Sequence, residues 1–522
     1  MFRLAGRTRR INADCDGGAR GDMPTFTFRC FSDWFSGSAY ECSFRLPLLA
    51  IWLLAHCATL MPRPVLSFII PAHDAQRTIG ETLTAIARQV PVPATVPVPG
   101  LGPGGCGGAA ITWEALVVDD RCSDATVKIV KSLGDKRISV IKNLGPRHGP
   151  AAARRLGLER ATGEFVYFLD ADDVPDPQAA GLLVDAIVRG EADAACGGFR
   201  LVDESGEDLC WSHIPEPGDW SVQKLTVANR LTIGATVVRR TALLEAMAQA
   251  PAMFESGCQS EDWAMWMHFA KVAHERAIRW VAVDKVVLAY RQRSGSRSRQ
   301  VMDNLSSGLQ IIQSFGADPD EVRSAAIGLL RRAACEALVE GEPELLRACA
   351  ADIPPDERGG DQAAAAFVSP LRWSLACRGY LRPPGMQRAM DELLPAMTAM
   401  AAGVLHLDWS SVMRRALCGP EQLAMAASRL HATLGPSGRL VIYGLGRSGR
   451  SALRLVVGRP HVAAIDDDAT RQSPVPRIGV DDLTPFDAVL ITPDSREQIL
   501  RRIDGTPARI VLPEDLLLGR RI

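Results

Sequence analysis

Residues 164–173 read EFVYFLDADD. The apolar run Phe165–Leu169 stops at the acids Asp170, Asp172 and Asp173. An unbroken run of this kind suits a strand buried on both faces of a parallel sheet. The carboxyl ends of such strands are where open α/β sheets bind ligands. Three acids in four residues exceed what one helix cap uses, and neighbouring carboxylates repel unless a cation lies among them. Hard divalent ions such as Mg²⁺ and Mn²⁺ take oxygen ligands and share them with substrate phosphates.

The same grammar runs through the preceding hundred residues. Val65–Ile70 (VLSFII) is stopped by Pro71 and followed by a helix whose face carries Ile79, Leu83, Ile86 and Val90, with Thr78 and Glu81 reading as a capping box. Ala115–Val118 is a second strand, ending in Asp119-Asp120, and Asp124–Leu133 a short helix. Ile138–Ile141 is a third strand, Gly149–Ala161 a helix and Glu164–Leu169 the fourth strand. Asp176-Pro177 reads as an N-cap followed by proline at the first helical position. Between them Val90–Ala110, rich in Pro and Gly, is a loop. Strand and helix alternate to about residue 190, which predicts an α/β fold with a doubly wound, mostly parallel sheet.

At 522 residues the chain holds several domains. Its 23% charged and 47% hydrophobic residues exclude a wholly disordered chain and a polytopic membrane protein. Lys plus Arg number 59 against 60 Asp plus Glu, a balance that gives no footprint for nucleic acid. Thirteen scattered cysteines show no metal-ligand spacing. The expected division is a poorly ordered extension over 1–60, an α/β domain over 61–300, a helical region over 301–435 and a small Rossmann-like α/β domain over 436–522. Leu46–Met61 has no charged side chain but is sixteen residues long, short of the ~20 a spanning helix needs. A working start at Met61 accounts for it better than an anchor or a signal peptide. In the last segment Gly444, Gly446 and Gly449 form GxGxxG between a strand and a helix, with Asp466 twenty residues beyond Gly446. This is a candidate second nucleotide site, with tight helix–strand packing as the alternative.

Six motifs from Val65 to about Ser298 together resemble the family 2 glycosyltransferases of GT-A fold. PAHD at 71–74 is similar to PAYN, DDRCSD at 119–124 to DDGSTD, and GPAAARR at 149–155 to GxxxARN. YFLDADD at 167–173 resembles FLDADD, the DXD motif. SEDWAMW at 260–266 resembles EDWDLW, and YRQRSGS at 290–296 resembles YRxHxxS. The resemblance implies donor binding by Pro71, His73, Asp74, Asp120, Arg154, Asp170, Arg291 and Arg293. Asp120 would hold the base, uracil by default, and Asp170 the ribose. Asp172, with Asp170, would hold a divalent metal. Asp262 would be the general base, with Glu261 beside it.

The chain departs from the pattern at Asp74 and Arg155, where the family has Asn, and at Arg293, where it has a metal-ligating His. Arginine stays charged and does not ligate cations, so Arg293 is expected to meet the diphosphate itself. Arg291, Arg293, Arg297 and Arg299, on a stretch containing Ser-Gly-Ser, are expected to form a mobile basic lid suited to phosphates, with a solvated basic loop as the alternative. The implied function is an inverting glycosyltransferase using a nucleotide-sugar donor and a glycan or lipid-linked acceptor. The implied setting is cytoplasmic or peripheral at the inner membrane face. A sugar nucleotidyltransferase and a non-catalytic nucleotide-sugar-binding or regulatory protein are the alternatives.

Overall fold

The computed structural model describes residues 27–29, 41–43, 65–90, 112–254, 259–293, 299–316, 318–434, 439–443, 462–465, 486–491 and 509–517. The chain falls into two compact units, Met1–Pro62 and Arg63–Ile522. The described residues of the first form an antiparallel pair, Thr27–Arg29 with Glu41–Ser43. The segment Leu46–Met61 lies outside the described residues, and among those no helix is long and apolar enough to cross a membrane.

The second unit is built on a nine-stranded sheet. Its strands are β1 (Leu66–Ala72), β2 (Trp113–Asp119), β3 (Ile138–Lys142), β4 (Phe165–Phe168), β5 (Val174–Pro175), β6 (Ala194–Val202), β7 (Asp208–His213), β8 (Thr236–Arg239) and β9 (Trp280–Arg291). The order is β3-β2-β1-β4-β8-β6-β9-β5, with β7 paired to β6. The first four strands are mutually parallel, as their apolar runs predict. Beyond β4 the sheet turns mixed. Strand β8 enters antiparallel to both β4 and β6, β9 runs parallel to β6, and β5 antiparallel to β9.

Helices α1 (Ile79–Ala87), α2 (Thr126–Ser132), α3 (Pro150–Arg160) and α4 (Ala179–Arg189) connect the strands. Strand β1 shows why both faces need cover. Phe68 and Ile70 point into one core, with α1 and the helical region, while Ile69 points into the other, with α3 and Trp266. The predicted capping box at Thr78 and Glu81 does not form. Thr78 Oγ1 donates instead to the carbonyl of Ala171, and Glu81 accepts from Arg291. The helix after Asp176 begins two residues later than predicted, at Ala179, and Asp176 Oδ1 accepts from Gln178 N at 2.9 Å.

Further along come α5 (Val222–Val227), α6 (Arg240–Gln249) and α7 (Glu261–Arg276). The stretch after β9 is helical, with α8 (Val301–Phe315), α9 (Pro319–Glu340), α10 (Pro343–Ala351) and α11 (Gly360–Cys377) leading. The chain ends on a four-stranded parallel sheet. Its strands are β10 (Leu440–Tyr443), β11 (Val462–Ile465), β12 (Ala488–Ile491) and β13 (Arg509–Val511), in the order β11-β10-β12-β13. Gly444, Gly446, Gly449 and Asp466 fall outside the described residues.

Candidate active site

The ends of β1, β2 and β4 open into a cleft of about 870 Å³. Pro71, His73, Asp120, Arg154, Asp170, Asp172, Glu261, Asp262, Arg291 and Arg293 all line it, so one cavity gathers groups from six separate segments. Asp74 is the exception: it does not line the cleft. Its backbone is left-handed, at φ 46°, and its carboxylate accepts from Ser123 N at 2.7 Å and Asp124 N at 3.3 Å. It ties the loop after β1 to the loop after β2. Those backbone bonds, with Ser123 first, hold its pKa below the usual carboxylate value despite the opposing effect of burial.

Asp120 is 6% exposed. Its Oδ1 accepts from Asn143 Nδ2 at 2.7 Å and its Oδ2 from Gly149 N at 2.6 Å. The carboxylate therefore fixes the entry to α3. His73 Nδ1 donates to the Asp120 carbonyl at 2.9 Å. Helix α3 carries Arg154, which is 3% exposed and reaches Asp170 Oδ1 at 2.7 Å and Glu261 Oε1 at 3.2 Å. Burial works against its charge, but Asp170, Glu261 and Asp262 outweigh it and hold its pKa above the usual value. Arg154 thus clamps the end of β4 to the start of α7.

Asp262 opens α7 with Glu261. Its Oδ1 accepts from Trp263 N at 2.8 Å and its Oδ2 from Asn229 Nδ2 at 3.1 Å. Burial, then the negative charge of Glu261, pushes its pKa up to about 6. Trp263 pins the helix through Nε1, which donates to the Leu225 carbonyl at 2.8 Å. Ser260 precedes the helix but makes no side-chain cap bond.

The loop Asp170–Asp173 is held from below. Thr82 Oγ1 donates to the Asp173 carbonyl at 2.8 Å, and Arg291 N donates to Asp173 Oδ1 at 3.0 Å. Burial, then Asp172 and Asp170 nearby, raises the Asp173 pKa well above the ordinary value. Arg291 is buried. Its Nε reaches the Asp172 carbonyl at 2.9 Å, NH1 the Glu204 carbonyl at 2.9 Å, and NH2 Glu81 Oε2 at 2.5 Å. It fastens β9 to the acidic loop. Arg293 stands further out, 2.6 Å from Asp172 Oδ2. Burial, then Asp170, pushes the Asp172 pKa up, with Arg293 opposing.

Two carboxylates one residue apart suit a hard divalent ion. Asp170 and Asp172 each give one oxygen to an arginine, and Asp170 Oδ2 and Asp172 Oδ1 carry no side-chain partner among the described residues. The pair therefore fits a cation held beside Arg293. The trio Asp74, Cys122 and Asp124 is also close enough to share an ion. However, burial pushes the Cys122 thiol up to about 11, and Asp124 accepts from Gln76 N and Thr126 N. That trio reads as a loop lock.

Sequence reasoning missed Asn143 and Asn229, which orient the key carboxylates, because lone asparagines carry no spacing signal. It also missed a whole wall. Leu305 of α8, Leu329, Arg332 and Glu336 of α9, and Trp373 of α11 close the cleft opposite the sheet.

A mixed sheet whose strand ends present acidic loops to one cleft is the arrangement expected of a GT-A fold. Residues 67–238 match the family model "Glycosyl transferase family 2". Among curated relatives it is 23% identical over 207 residues to the UDP-Glc:alpha-D-GlcNAc-diphosphoundecaprenol beta-1,3-glucosyltransferase WfgD of Escherichia coli, covering 40% of this chain and 70% of that one. It is 27% identical over 157 residues to the putative teichuronic acid biosynthesis glycosyltransferase TuaG of Bacillus subtilis, covering 30% of this chain and 54% of that one. It is 32% identical over 183 residues to the poly(ribitol-phosphate) beta-N-acetylglucosaminyltransferase TarS of Staphylococcus aureus, covering 34% and 28%. The crystal structure of S. aureus TarS 1–349 in complex with UDP-GlcNAc is 18% identical with a TM-score of 0.36, covering 65% of this chain and 90% of that one.

Proposed function

We propose that the protein is an inverting glycosyltransferase that moves a sugar from a nucleotide-diphosphate donor, UDP-linked by default, to a hydroxyl of a glycan or lipid-linked acceptor. The observation that carries this is the convergence of Asp120, Asp170, Asp172, Glu261 and Asp262 on one cleft. A nucleotide sugar and a lipid-linked acceptor would meet at the cytoplasmic face of a membrane, with this chain peripheral to it.

In the reaction the acceptor oxygen forms a bond to the anomeric carbon as the bond from that carbon to the diphosphate breaks. The electron pair leaves with the diphosphate, and the hydroxyl proton passes to Asp262. A carboxylate with a pKa of about 6 is ionised at neutral pH yet more basic than an exposed one, as a general base requires. Asn229 and the Trp263 amide aim it. One base and no second nucleophile fit a single displacement through an oxocarbenium-like state, which inverts the centre. Arg154 keeps the donor-side and acceptor-side acids in register. Asp170 and Asp172 would hold a divalent ion, which when bound neutralises charge on the leaving diphosphate. Arg293 adds a fork of donors on the same side.

The decisive experiment compares donor hydrolysis and transfer with added Mn²⁺ in wild type and Asp262→Asn. Loss of turnover with UDP binding kept supports the reading. UDP-sugar binding without turnover in wild type, across a panel of acceptors, overturns it in favour of a non-catalytic binding protein.

A further inference from the structure

Behind the acidic loop lies a second cavity, of about 680 Å³, between the turn joining β6 to β7 and the residues following α11. Arg299, Arg378, Arg382 and Arg388 line it against two acids, Asp203 and Glu204. Asp203 is already paired with Arg382 at 2.9 Å. Arg299 and Arg378 share one carboxylate, Glu340. Arg388 is exposed, lies over the Tyr380 ring, and has no ion pair among the described residues. Burial, then the like charge of Arg299, lowers the Arg378 pKa to about 10. Arg382 also takes a second carboxylate, Glu207, so Arg388 is the guanidinium of this wall left without an ion pair among the described residues.

A second observation is independent of charge. Gln292 lines this cavity, is 3% exposed, and neither Nε2 nor Oε1 of its amide has a hydrogen-bond partner among the described residues. Its backbone is fixed, since Gln292 N donates to the Val202 carbonyl at 2.8 Å. A dry amide with donor and acceptor both open is a cost that a fold sheds unless something else meets it. Gln292 sits between Arg291 and Arg293, which line the first cleft. The strand end thus turns alternate side chains to two cavities.

We propose that this cavity binds a phosphorylated, hydroxyl-bearing small molecule, a sugar phosphate in class, with the phosphoryl group on the arginines and the hydroxyls on the Gln292 amide. Guanidinium forks match phosphoryl oxygens, and an amide that can both give and accept matches a hydroxyl.

The test titrates the full chain calorimetrically with glucose 1-phosphate in the presence of saturating UDP, which blocks the first cleft. Inorganic phosphate is run in parallel. UDP binding is measured separately, so failure of the transferase reading shows there and not here. One equivalent of glucose 1-phosphate is expected, bound more tightly than inorganic phosphate. Arg388→Ala and Gln292→Leu should each weaken it by roughly tenfold to a hundredfold while UDP binding stays intact. Gln292→Leu replaces an unpaired amide by an apolar group, so its melting temperature should hold or rise. Three results overturn the proposal. One is no binding beside UDP. Another is binding unchanged in both variants. The third is inorganic phosphate binding as tightly as glucose 1-phosphate, which denies the amide its role.

Discussion

Single residues carry the departures from the family pattern, and two of them have physical accounts. Asp74 stands where Asn is usual. Its backbone is left-handed and its side chain must accept two main-chain N–H groups, which both residue types manage. Arg293 stands where His is usual and reaches Asp172 instead of ligating beside it. Arg293→Ala should weaken UDP affinity by roughly tenfold to a hundredfold, read by titration, because a charge-assisted contact to the diphosphate is lost. Unchanged affinity and turnover would remove Arg293 from the donor site. In the proposed reaction Asp262 sets the pH profile. It is the base only when ionised, and its raised pKa places the acid limb near pH 6. The transfer rate should fall about tenfold per unit well below that value and level off above it. A limb near pH 4 would mean that Asp262 is not the titrating base.

Elements hold those residues in place. Helix α3 lies so close to β1 that a Cβ at Gly157 would meet Ile69 Cγ2 at 2.3 Å. Gly157→Ala should therefore lift α3, cost about 1–3 kcal/mol in urea unfolding, and disturb Arg154 one turn earlier. Strand β9 is fastened by the Arg291 side chain, whose removal leaves Glu81 and three main-chain carbonyls short of donors. Arg291→Met should cost about 3–5 kcal/mol, since a buried network loses its cation. The helix starts were less legible than the strands. The apparent capping box at Thr78 failed because both side chains had better partners on the acidic loop, far away in sequence.

Across the whole molecule, one apolar cluster runs from Val65 to Leu517. The helical stretch after β9 is therefore part of the core and supplies one wall of the cleft. A chain ending at residue 300 should expose apolar surface and fail to give a folded monomer, checked by circular dichroism and sedimentation. A stable, UDP-binding fragment would show that the helices are an appendage.

The existence and parallel direction of β1 to β4, the acids at their ends and the helix opened by Glu261 and Asp262 were written in the sequence, because each depends on local apolar periodicity and chain direction. Three things were settled only by tertiary structure: the antiparallel insertion of β8, the orienting asparagines, and the burial of Arg291 beside a more exposed Arg293 in the wall of the same cleft. Those outcomes depend on contacts between residues tens to hundreds of positions apart, and no local pattern encodes which distant partner a buried polar group will find.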